Sequence, residues 1–406
     1  MPSFNESDNN MILGSEKKEA VLQELARLID AHRAEIIAAN KKDMDEAKDL
    51  DPTLTDRLLV DDKKVDGMIA AVKEVMAIED PQGKVLDSYQ HPNGMKVENK
   101  VVPFGKILII YESRPDVTIE AAISAFKAGN KILLKGGKEA RNSNLCLTTL
   151  WHQALKSQHI PEDFVTYLNI DRAETQKMLQ ENTLDVDLII PRGGEGLINY
   201  IRSNTSVPLI VSGRGNNFIY VHENADLEMA LNLILNGKSR LSVCNAIDKV
   251  LFNENIEGLK DWLPHLMRST RNMELKVLTD GKIFEELEGA NPIEDKEIYY
   301  EEFLSPKILF STVKNIDEAI RTINQYSGGH SGVIVSSDTE SAEQFLNDVD
   351  CAAVYHNASS RFTDGGQFGF GAEIAISTQK LHFRGPVGLS QLVTNKWFVH
   401  GQGQVR

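Results

Sequence analysis

From Gly105 onward, the chain alternates short apolar runs with stretches of helical period. Apolar runs at 106–110, 131–134 and 186–190 predict strands, and the segment 118–127 predicts a helix that ends at Gly129. Strands that alternate with helices form parallel sheets, because each helix returns the chain to the same end of the sheet. The pattern therefore predicts a doubly wound α/β fold.

The alternation continues in the second half of the chain. It predicts helices near 226–236, 316–325 and 339–348, and strands near 307–310, 332–336 and 352–355. Before Gly105, residues 15–40 have the apolar spacing of one or two amphipathic helices. Residues 84–102 alternate around Asn93-Gly94, which predicts a β-hairpin. This hairpin suits either a contact between subunits or a plain solvent-exposed surface.

Composition excludes several classes of partner. The 406 residues carry a net charge of −15 with a pI near 5.2, which disfavours nucleic acid and anionic membranes. The three cysteines form no CxxC pair, and no metal-ligand spacing is present, so we expect a reducing, cytoplasmic setting and no metal site. Residues 1–10 are polar and lack the apolar core of a signal peptide, and the apolar runs are too short to span a membrane.

Cys244 is the first candidate for chemistry. It lies in Ser242-Val243-Cys244-Asn245-Ala246, in a chain that is poor in cysteine. A thiolate attacks acyl carbons well, and a nearby cation favours the thiolate form. A buried cysteine that only packs against Val243 and Ala246 explains this stretch equally well. The motif alone leaves both interpretations open.

Two glycine turns follow predicted strands and precede predicted helices. The first contains Lys135, Gly136, Gly137 and Lys138, and the second contains Arg192, Gly193 and Gly194. Because the ends of neighbouring parallel strands share an edge, the two turns suit one extended phosphate ligand. Each turn by itself is equally consistent with an ordinary glycine connection, and neither matches GxGxxG.

The segment 357–371 is long and rich in glycine and hydroxyl groups. Long loops without regular structure are usually functional. Arg361 and its neighbours could hold a carboxylate or phosphate, because guanidinium groups bind such anions bidentately. A rigid surface loop with a solvated arginine is the alternative.

Together these segments resemble the gamma-glutamyl phosphate reductases, a branch of the aldehyde dehydrogenase superfamily. The residues that carry the resemblance are 111–115, 188–194, 242–245, 357–371, 376–382 and 384–386. It implies an aldehyde dehydrogenase-like α/β fold with a Rossmann-type cofactor domain, an α/β catalytic domain and a small oligomerisation element. The expected divisions are an NADP-binding domain at 1–225 with the hairpin 84–102, a catalytic domain at 226–360, and a return segment and oligomerisation tail at 361–406.

The resemblance also implies the chemistry. Cys244 would attack the acyl carbon of glutamyl 5-phosphate, and NADPH would reduce the resulting thioester to glutamate 5-semialdehyde. Ser113 would help to stabilise the oxyanion, and Arg114, Asn357, Arg361 and Thr363 would bind substrate. Lys135, Gly136, Gly137, Lys138, Arg192, Gly193, Gly194 and Glu302 would bind NADPH. The implied partners are a second copy of the chain in a homo-oligomer and, transiently, glutamate kinase.

Two departures from the family pattern stand out. Leu241 replaces a proline before the cysteine motif, and Gly215-Asn216-Asn217-Phe218 replaces the family's usual Gly-Val-Cys-His. The second change removes a competing thiol and leaves Cys244 as the candidate nucleophile. Three alternatives stay open at this point: another acyl-phosphate or aldehyde dehydrogenase, a catalytically silent α/β binding protein, and an enzyme fused to glutamate kinase.

Overall fold

The computed structural model describes residues 13–47 and 52–406. The chain forms two compact units. Unit 1 comprises Met1–Ile210, Gly369–Ala375 and Val387–Arg406, and unit 2 comprises Val211–Phe368 and Ile376–Pro386. The polar segment 1–10 lies outside the described residues. Within the described ranges, no helix has the length and apolar character that a membrane crossing requires.

The helices are numbered in chain order. They are α1 (Ser15–Ala31), α2 (Arg33–Glu46), α3 (Pro52–Leu58), α4 (Asp62–Ala77), α5 (Val117–Lys127), α6 (Arg141–Ser157), α7 (Arg172–Glu181), α8 (Glu195–Asn204), α9 (Leu227–Gly237), α10 (Leu259–Asn272), α11 (Ile316–Tyr326) and α12 (Thr339–Asp348). The predicted helix at 15–40 is confirmed as the pair α1 and α2.

The strands follow the same order. They are β1 (Val85–Gln90), β2 (Lys96–Pro103), β3 (Lys106–Tyr111), β4 (Lys131–Gly136), β5 (Val165–Tyr167), β6 (Leu188–Arg192), β7 (Asn217–Val221), β8 (Ile247–Asn253), β9 (Lys276–Asp280), β10 (Ala290–Pro292), β11 (Lys307–Val313), β12 (Ser331–Val335), β13 (Ala353–His356), β14 (Ala375–Ser377), β15 (Gly385–Val387) and β16 (Val393–His400). The mixed α/β fold is confirmed.

Unit 1 is built on a four-stranded sheet in the order β5-β4-β3-β6. All its pairings are parallel, and β3 is almost entirely buried. The chain runs outward from β3 through β4 to β5 and then returns to the other side of β3 as β6. The switch in direction between β3 and β6 opens a crevice at the carboxyl ends of the strands, where open α/β sheets bind ligands.

The N-terminal helices are attached to this sheet by a buried cation. Lys18 of α1 donates to Gln82 Oε1 and to the Lys127 carbonyl oxygen, each at 2.9 Å, and lies 2.7 Å from Asp80 Oδ2. Burial lowers the pKa of the Lys18 ammonium, and the Asp80 carboxylate opposes that shift. The side chain satisfies the three acceptors that would otherwise be left without a partner beneath the helices.

The predicted hairpin is confirmed and gains a third strand. β1 and β2 pair antiparallel around Gly94, whose φ of +93° suits the turn, and β16 pairs antiparallel with β2. The sheet presents several large apolar side chains to solvent. They are Val85, Leu86, Tyr89, Trp397 and Val399.

Unit 2 contains a seven-stranded parallel sheet in the order β10-β9-β11-β8-β7-β12-β13. Apolar residues of α9 and α10 pack on one face, and those of α11 and α12 pack on the other. Because helices cover both faces, the central strands β7 and β8 are completely buried.

The compact units do not follow the expected domain limits. β7 lies within the expected first domain, yet it pairs with β8 and β12 in the sheet of unit 2. The division therefore falls at Ile210, not at residue 225, and the segment 211–225 belongs with the cysteine. Most of the expected tail, 369–375 and 387–406, returns to unit 1, where β16 completes the hairpin sheet.

Candidate active site

The cysteine site lies at the amino edge of the unit 2 sheet. Gly215, Cys244 and Glu302 precede β7, β8 and β11, which are neighbours in that sheet. Because the strands are parallel, the three segments meet at one edge. This edge is opposite to the carboxyl edge at which ligands of open α/β sheets usually bind.

Gly215 brings the other two residues together. A Cβ atom at Gly215 would overlap the Cα and carbonyl of Cys244, so only glycine allows this approach. The Gly215 N–H also acts on the Glu302 carboxyl and lowers its pKa. The position of the Cys244 main chain is thereby tied to the position of Glu302.

The two asparagines that depart from the family pattern form hydrogen bonds to the main chain here. Asn217 Nδ2 lies within 2.7 Å of the Cys244 and Ala246 carbonyl oxygens and 3.0 Å from that of Gly215. Asn216 Nδ2 donates to the Tyr299 and Tyr326 carbonyl oxygens at 2.7 Å. Both side chains are fully buried. The departure therefore supplies amide donors: Asn217 holds the main chain at and after the cysteine, and Asn216 holds the carbonyl oxygens of Tyr299 and Tyr326.

Asn245 fastens the long loop 357–371 to the cysteine motif. Its Nδ2 donates to the carbonyl oxygens of Arg361 at 3.2 Å and Thr363 at 3.0 Å, and its Oδ1 accepts from the Arg361 guanidinium. Its own carbonyl oxygen accepts from the Ser360 hydroxyl at 2.7 Å. Arg361 is consequently held beside the residue that follows Cys244.

A pocket of about 830 Å³ opens next to the cysteine motif. Its walls come from α9, the segment that leads to β8, and the loop 357–371. The lining includes Asn236, Arg240, Val243, Asn245, Asn357, Ser359, Arg361 and Asp364. The volume is sufficient for a small polar substrate, and the two guanidinium groups make part of the wall cationic.

The Arg361 guanidinium interacts electrostatically with both the Cys244 thiol and a second arginine. Burial lowers the pKa of the Arg361 guanidinium, and Arg240 lowers it further. The Cys244 sulfur and the Asp364 carboxylate act in the opposite direction. Two neighbouring cations that repel each other form a site in which an anion is favourable.

Not every predicted substrate residue turns its functional group into this pocket. The Thr363 hydroxyl is completely buried and bonds Tyr355 Oη at 2.7 Å and Ser331 Oγ at 2.8 Å, so it holds the loop in place. Asn357 lines the pocket, but its amide exchanges hydrogen bonds with the main chain of Ser336 at 2.9 and 3.0 Å.

The glycine turns of unit 1 lie at the carboxyl edge of its own sheet. A Cβ at Gly136 would overlap Asn144 and approach Tyr111, so close packing requires glycine there. Lys138 is exposed, whereas Lys135 is half-buried and donates to the Gly136 carbonyl oxygen at 2.9 Å. Burial lowers the pKa of Lys135, and the Glu139 carboxylate opposes that shift.

Ser113 is engaged by an acid. Its hydroxyl donates to Glu139 Oε1 at 2.7 Å, and its N–H donates to the same oxygen at 2.9 Å. Its φ of +36° is unusual for a residue other than glycine. An oxyanion role for Ser113 would require its hydroxyl to exchange Glu139 for the substrate.

A carboxylate also accepts a hydrogen bond from the second glycine turn. The Gly194 N–H donates to Glu112 Oε2 at 2.9 Å, and a Cβ at Gly193 would overlap the same carboxylate. Arg192 and Arg114 both act electrostatically on Glu120, whose pKa rises to about 6 because it is buried and lies near Asp116. Arg114 thus belongs to unit 1, at the crevice between β3 and β6.

The carboxyl edge of unit 1 fits a dinucleotide in its main features. The crevice lies at the switch in strand direction, Gly194 has open space above its Cα, and Lys138 projects from the turn after β4. Glu112 occupies the Gly194 N–H of the second turn, and Glu139 occupies the Ser113 N–H after β3, so phosphate oxygens would be held mainly by the cationic side chains.

Sequence analysis identified Cys244, Arg361 and the glycine turns, but it missed the residues that position them. Asn217, Arg240 and Asn245 were recognisable as parts of a motif, yet only their contacts give them roles. Arg240 could have been predicted as a pocket residue from the sequence, because it is a second arginine close in sequence to the cysteine.

Comparisons with known proteins show the family of the chain. Residues 13–284 and 279–373 match the model of the aldehyde dehydrogenase family. The gamma-glutamyl phosphate reductase of Desulforamulus reducens is 43% identical over 399 residues, which cover 97% of this chain and 95% of the relative. The crystal structure of gamma-glutamyl phosphate reductase from Thermotoga maritima has 42% identity and a TM-score of 0.91, and the match covers 97% of this chain and 95% of that one. The chain therefore belongs to the gamma-glutamyl phosphate reductases of the aldehyde dehydrogenase family.

Proposed function

We propose that this oxidoreductase reduces L-glutamyl 5-phosphate to L-glutamate 5-semialdehyde with NADPH, through a thioester on Cys244, as the second step of proline biosynthesis. The observation that carries the proposal is the placement of Cys244. Its main chain is held by Gly215 and Asn217, and its sulfur lies within electrostatic reach of Arg361 at the wall of a cationic pocket.

Cys244 performs the acyl transfer. A guanidinium beside a thiol favours the thiolate, which is the nucleophilic form. The thiolate forms a bond to the acyl carbon, the bond from that carbon to the phosphate oxygen breaks, and inorganic phosphate leaves. The NADPH bound by the enzyme supplies the hydride that reduces the acyl group to the aldehyde, and the sulfur departs as the regenerated thiolate.

Arg361 and Arg240 hold the anionic groups of the substrate in unit 2. Arg361 is the stronger candidate, because Asn245 fixes its guanidinium and the residue is half-buried. Asp364 lines the same pocket and suits the substrate ammonium. Arg114, in unit 1, remains a candidate for the second anionic group.

In unit 1, Lys135, Lys138 and Arg192 are the proposed ligands of the cofactor phosphates, and Gly136, Gly137, Gly193 and Gly194 allow close approach. In unit 2, the Glu302 carboxylate is the proposed acceptor for ribose hydroxyls. Members of the aldehyde dehydrogenase family use NAD or NADP. Lys138 favours the 2′-phosphate of NADP, since its ammonium is exposed while Glu139 is engaged by Ser113.

We further propose that the β1-β2-β16 sheet joins copies of the chain. The exposed apolar side chains of this sheet are typical of an interface between subunits, and burying them would be favourable. Glutamate kinase, as the supplier of an unstable acyl phosphate, is the proposed transient partner.

Replacing the thiol tests the nucleophile. We expect Cys244→Ala to lose at least a thousandfold in kcat in a coupled assay in which glutamate kinase makes the substrate, because no other group can form the thioester. NADPH binding, measured by fluorescence titration, should stay within threefold of the parent. Cys351→Ala is the matched control, because Cys351 is buried in the unit 2 core and should leave kcat nearly unchanged. Activity of Cys244→Ala within tenfold of the parent contradicts the assignment.

Replacing the Arg361 guanidinium with an ammonium group tests substrate recognition. Arg361→Lys keeps the charge but loses bidentate geometry and the bond to Asn245, so KM for glutamyl 5-phosphate should rise about tenfold or more. KM for NADPH should change less than twofold. Arg268→Lys, on α10, is the control for a general effect of the substitution. Equal changes in both Michaelis constants would assign Arg361 a structural role.

Cofactor choice tests Lys138. The parent should prefer NADP to NAD in the reverse reaction with glutamate 5-semialdehyde and phosphate, and Lys138→Ala should reduce that preference about five- to tenfold. The physical reason is the loss of one charge-assisted contact to the 2′-phosphate. Lys156→Ala, at the far end of α6, serves as the control. A parent with equal efficiency for both cofactors, or a variant with unchanged preference, refutes the role of Lys138.

Trp397 tests the subunit contact. Its side chain is 53% exposed on β16, so Trp397→Ser should not disturb the core of unit 1. We expect this variant to show a smaller assembly than the parent in sedimentation or light-scattering measurements, because a large apolar side chain is lost from the interface. Lys396→Ser, on the adjacent position, is the control. A monomeric parent, or a variant with unchanged mass, rejects this surface as the interface.

A further inference from the structure

Two charged residues lie inside the fully buried strand β8. Asp248 and Lys249 are 1% and 0% exposed, although a strand covered on both faces normally carries apolar side chains. The pairing with β7 is irregular at this point: Asn217 pairs with Ile247, and Phe218 pairs with Lys249, so Asp248 is an extra residue in the strand. Such bulges redirect side chains and are frequent next to active sites.

The irregularity lets both charges reach the same neighbouring segment, 301–303. The Lys249 ammonium donates to the Glu301 carbonyl oxygen and lies 3.8 Å from the centre of the Phe303 ring. Asp248 Oδ2 accepts from the Phe303 N–H at 2.8 Å. Glu302 stands between these two fixed residues. Its main chain is therefore held on both sides by consecutive residues of β8.

A second buried lysine completes the network. Lys238, at the end of α9, lies 2.5 Å from Asp248 Oδ1, and the exposed fractions of the two side chains are 0% and 2%. Its ammonium also lies 5.6 Å from the centre of the Phe303 ring. A buried charge without a partner is costly, so the two lysines need two carboxylates nearby. Asp248 acts on both lysines, and Glu301 and Glu302 add negative charge near Lys249.

The charges around Glu302 act on its pKa in both directions. Burial raises the pKa of the Glu302 carboxyl, and Asp248 raises it further. The Gly215 N–H, Lys249 and Arg214 act in the opposite direction and favour the ionised form. Burial and Lys238 lower the pKa of Lys249 to about 7, while Asp248, Glu301 and Glu302 oppose that shift.

We propose that Lys249 is a positioning residue for cofactor binding: as a cation, with Asp248 and Lys238, it fixes the segment 301–303 and keeps Glu302 ionised to accept from the ribose hydroxyls of NADP. This inference rests on the proposed cofactor role of Glu302. A carboxylate accepts hydrogen bonds from two hydroxyl groups, whereas a protonated carboxyl loses part of that capacity. Because Gly215 joins Glu302 to Cys244, the same network also steadies the main chain behind the nucleophile.

The sign of the pH effect follows from these charges. Lys249 is charged below about pH 7 and favours ionised Glu302, so the parent should bind NADP well down to mildly acid pH. Without the cation, the pKa of Glu302 rises, and binding is lost at a higher pH during acidification. Above about pH 8 the parent has also lost the Lys249 charge, so parent and variant should converge.

The experiment measures Kd for NADP by calorimetry between pH 5 and 9 on the full chain, which requires no turnover. Lys249→Met and Lys249→Gln both remove the charge, and Gln retains a donor for the Glu301 carbonyl oxygen. For each we expect the acid limb to move upward by about one pH unit, so that Kd on that limb rises about tenfold. Lys307→Met is the matched control, because Lys307 lies 5.7 Å from the same ring and 3.3 Å from Glu301 Oε1 but is partly exposed.

Thermal unfolding of each variant shows whether it is folded. If the Met variant does not fold, the binding measurement on the Gln variant tests the inference. A parent that binds NADP but does not reduce glutamyl 5-phosphate refutes the proposed function and leaves this inference intact. A parent that is active, with both variants showing its Kd and its pH profile, overturns this inference alone. A weakening that is equal at every pH would show that Lys249 only supports the fold.

Discussion

The close approach of Gly215 to Cys244 is the contact on which the arrangement of the candidate active site depends. The absence of a side chain lets the segment before β7 lie against the Cys244 main chain, and the Gly215 N–H reaches Glu302. Asn217, two residues later, ties the Cys244 and Ala246 carbonyl oxygens from the same side. Three segments that are far apart in the chain are thereby locked to one edge of the sheet.

Local charge opposes the overall charge of the molecule. The chain carries −15, yet the groups around the cysteine and in the pocket include Arg240, Arg361 and, behind them, the buried lysines of unit 2. Several acids accept structural hydrogen bonds. Asp248 accepts from the Phe303 N–H, Glu112 accepts from the Gly194 N–H, and Glu139 accepts from the Ser113 hydroxyl. An acidic surface can therefore coexist with sites that attract anionic ligands, because a site responds mainly to charges within a few ångströms.

Several parts of the fold were predictable because they depend on local pattern. The helices α1, α5 and α9 and the hairpin β1–β2 follow periodicity and turn residues, and these signals act within a few residues. β8 was not predicted, since Asp248 and Lys249 interrupt its apolar run. Their burial is tolerated because Lys238 and the main chain of Glu301 and Phe303 bond to them, and the segment 301–303 is far from β8 in the sequence.

The sequence by itself determined the α/β class, the candidate nucleophile Cys244, the glycine turns and the candidate substrate residue Arg361. These features reside in residue types and short spacings, which persist whatever the distant contacts are. Only the tertiary structure decided that Cys244 lies at the amino edge of its sheet, that β7 belongs with it in unit 2, and that Ser113 and Thr363 have protein partners. It also decided the partners of Asn217, Asn245 and Lys249. Those outcomes depend on which strands become neighbours, and strand order is set by packing of the whole unit and not by any local segment.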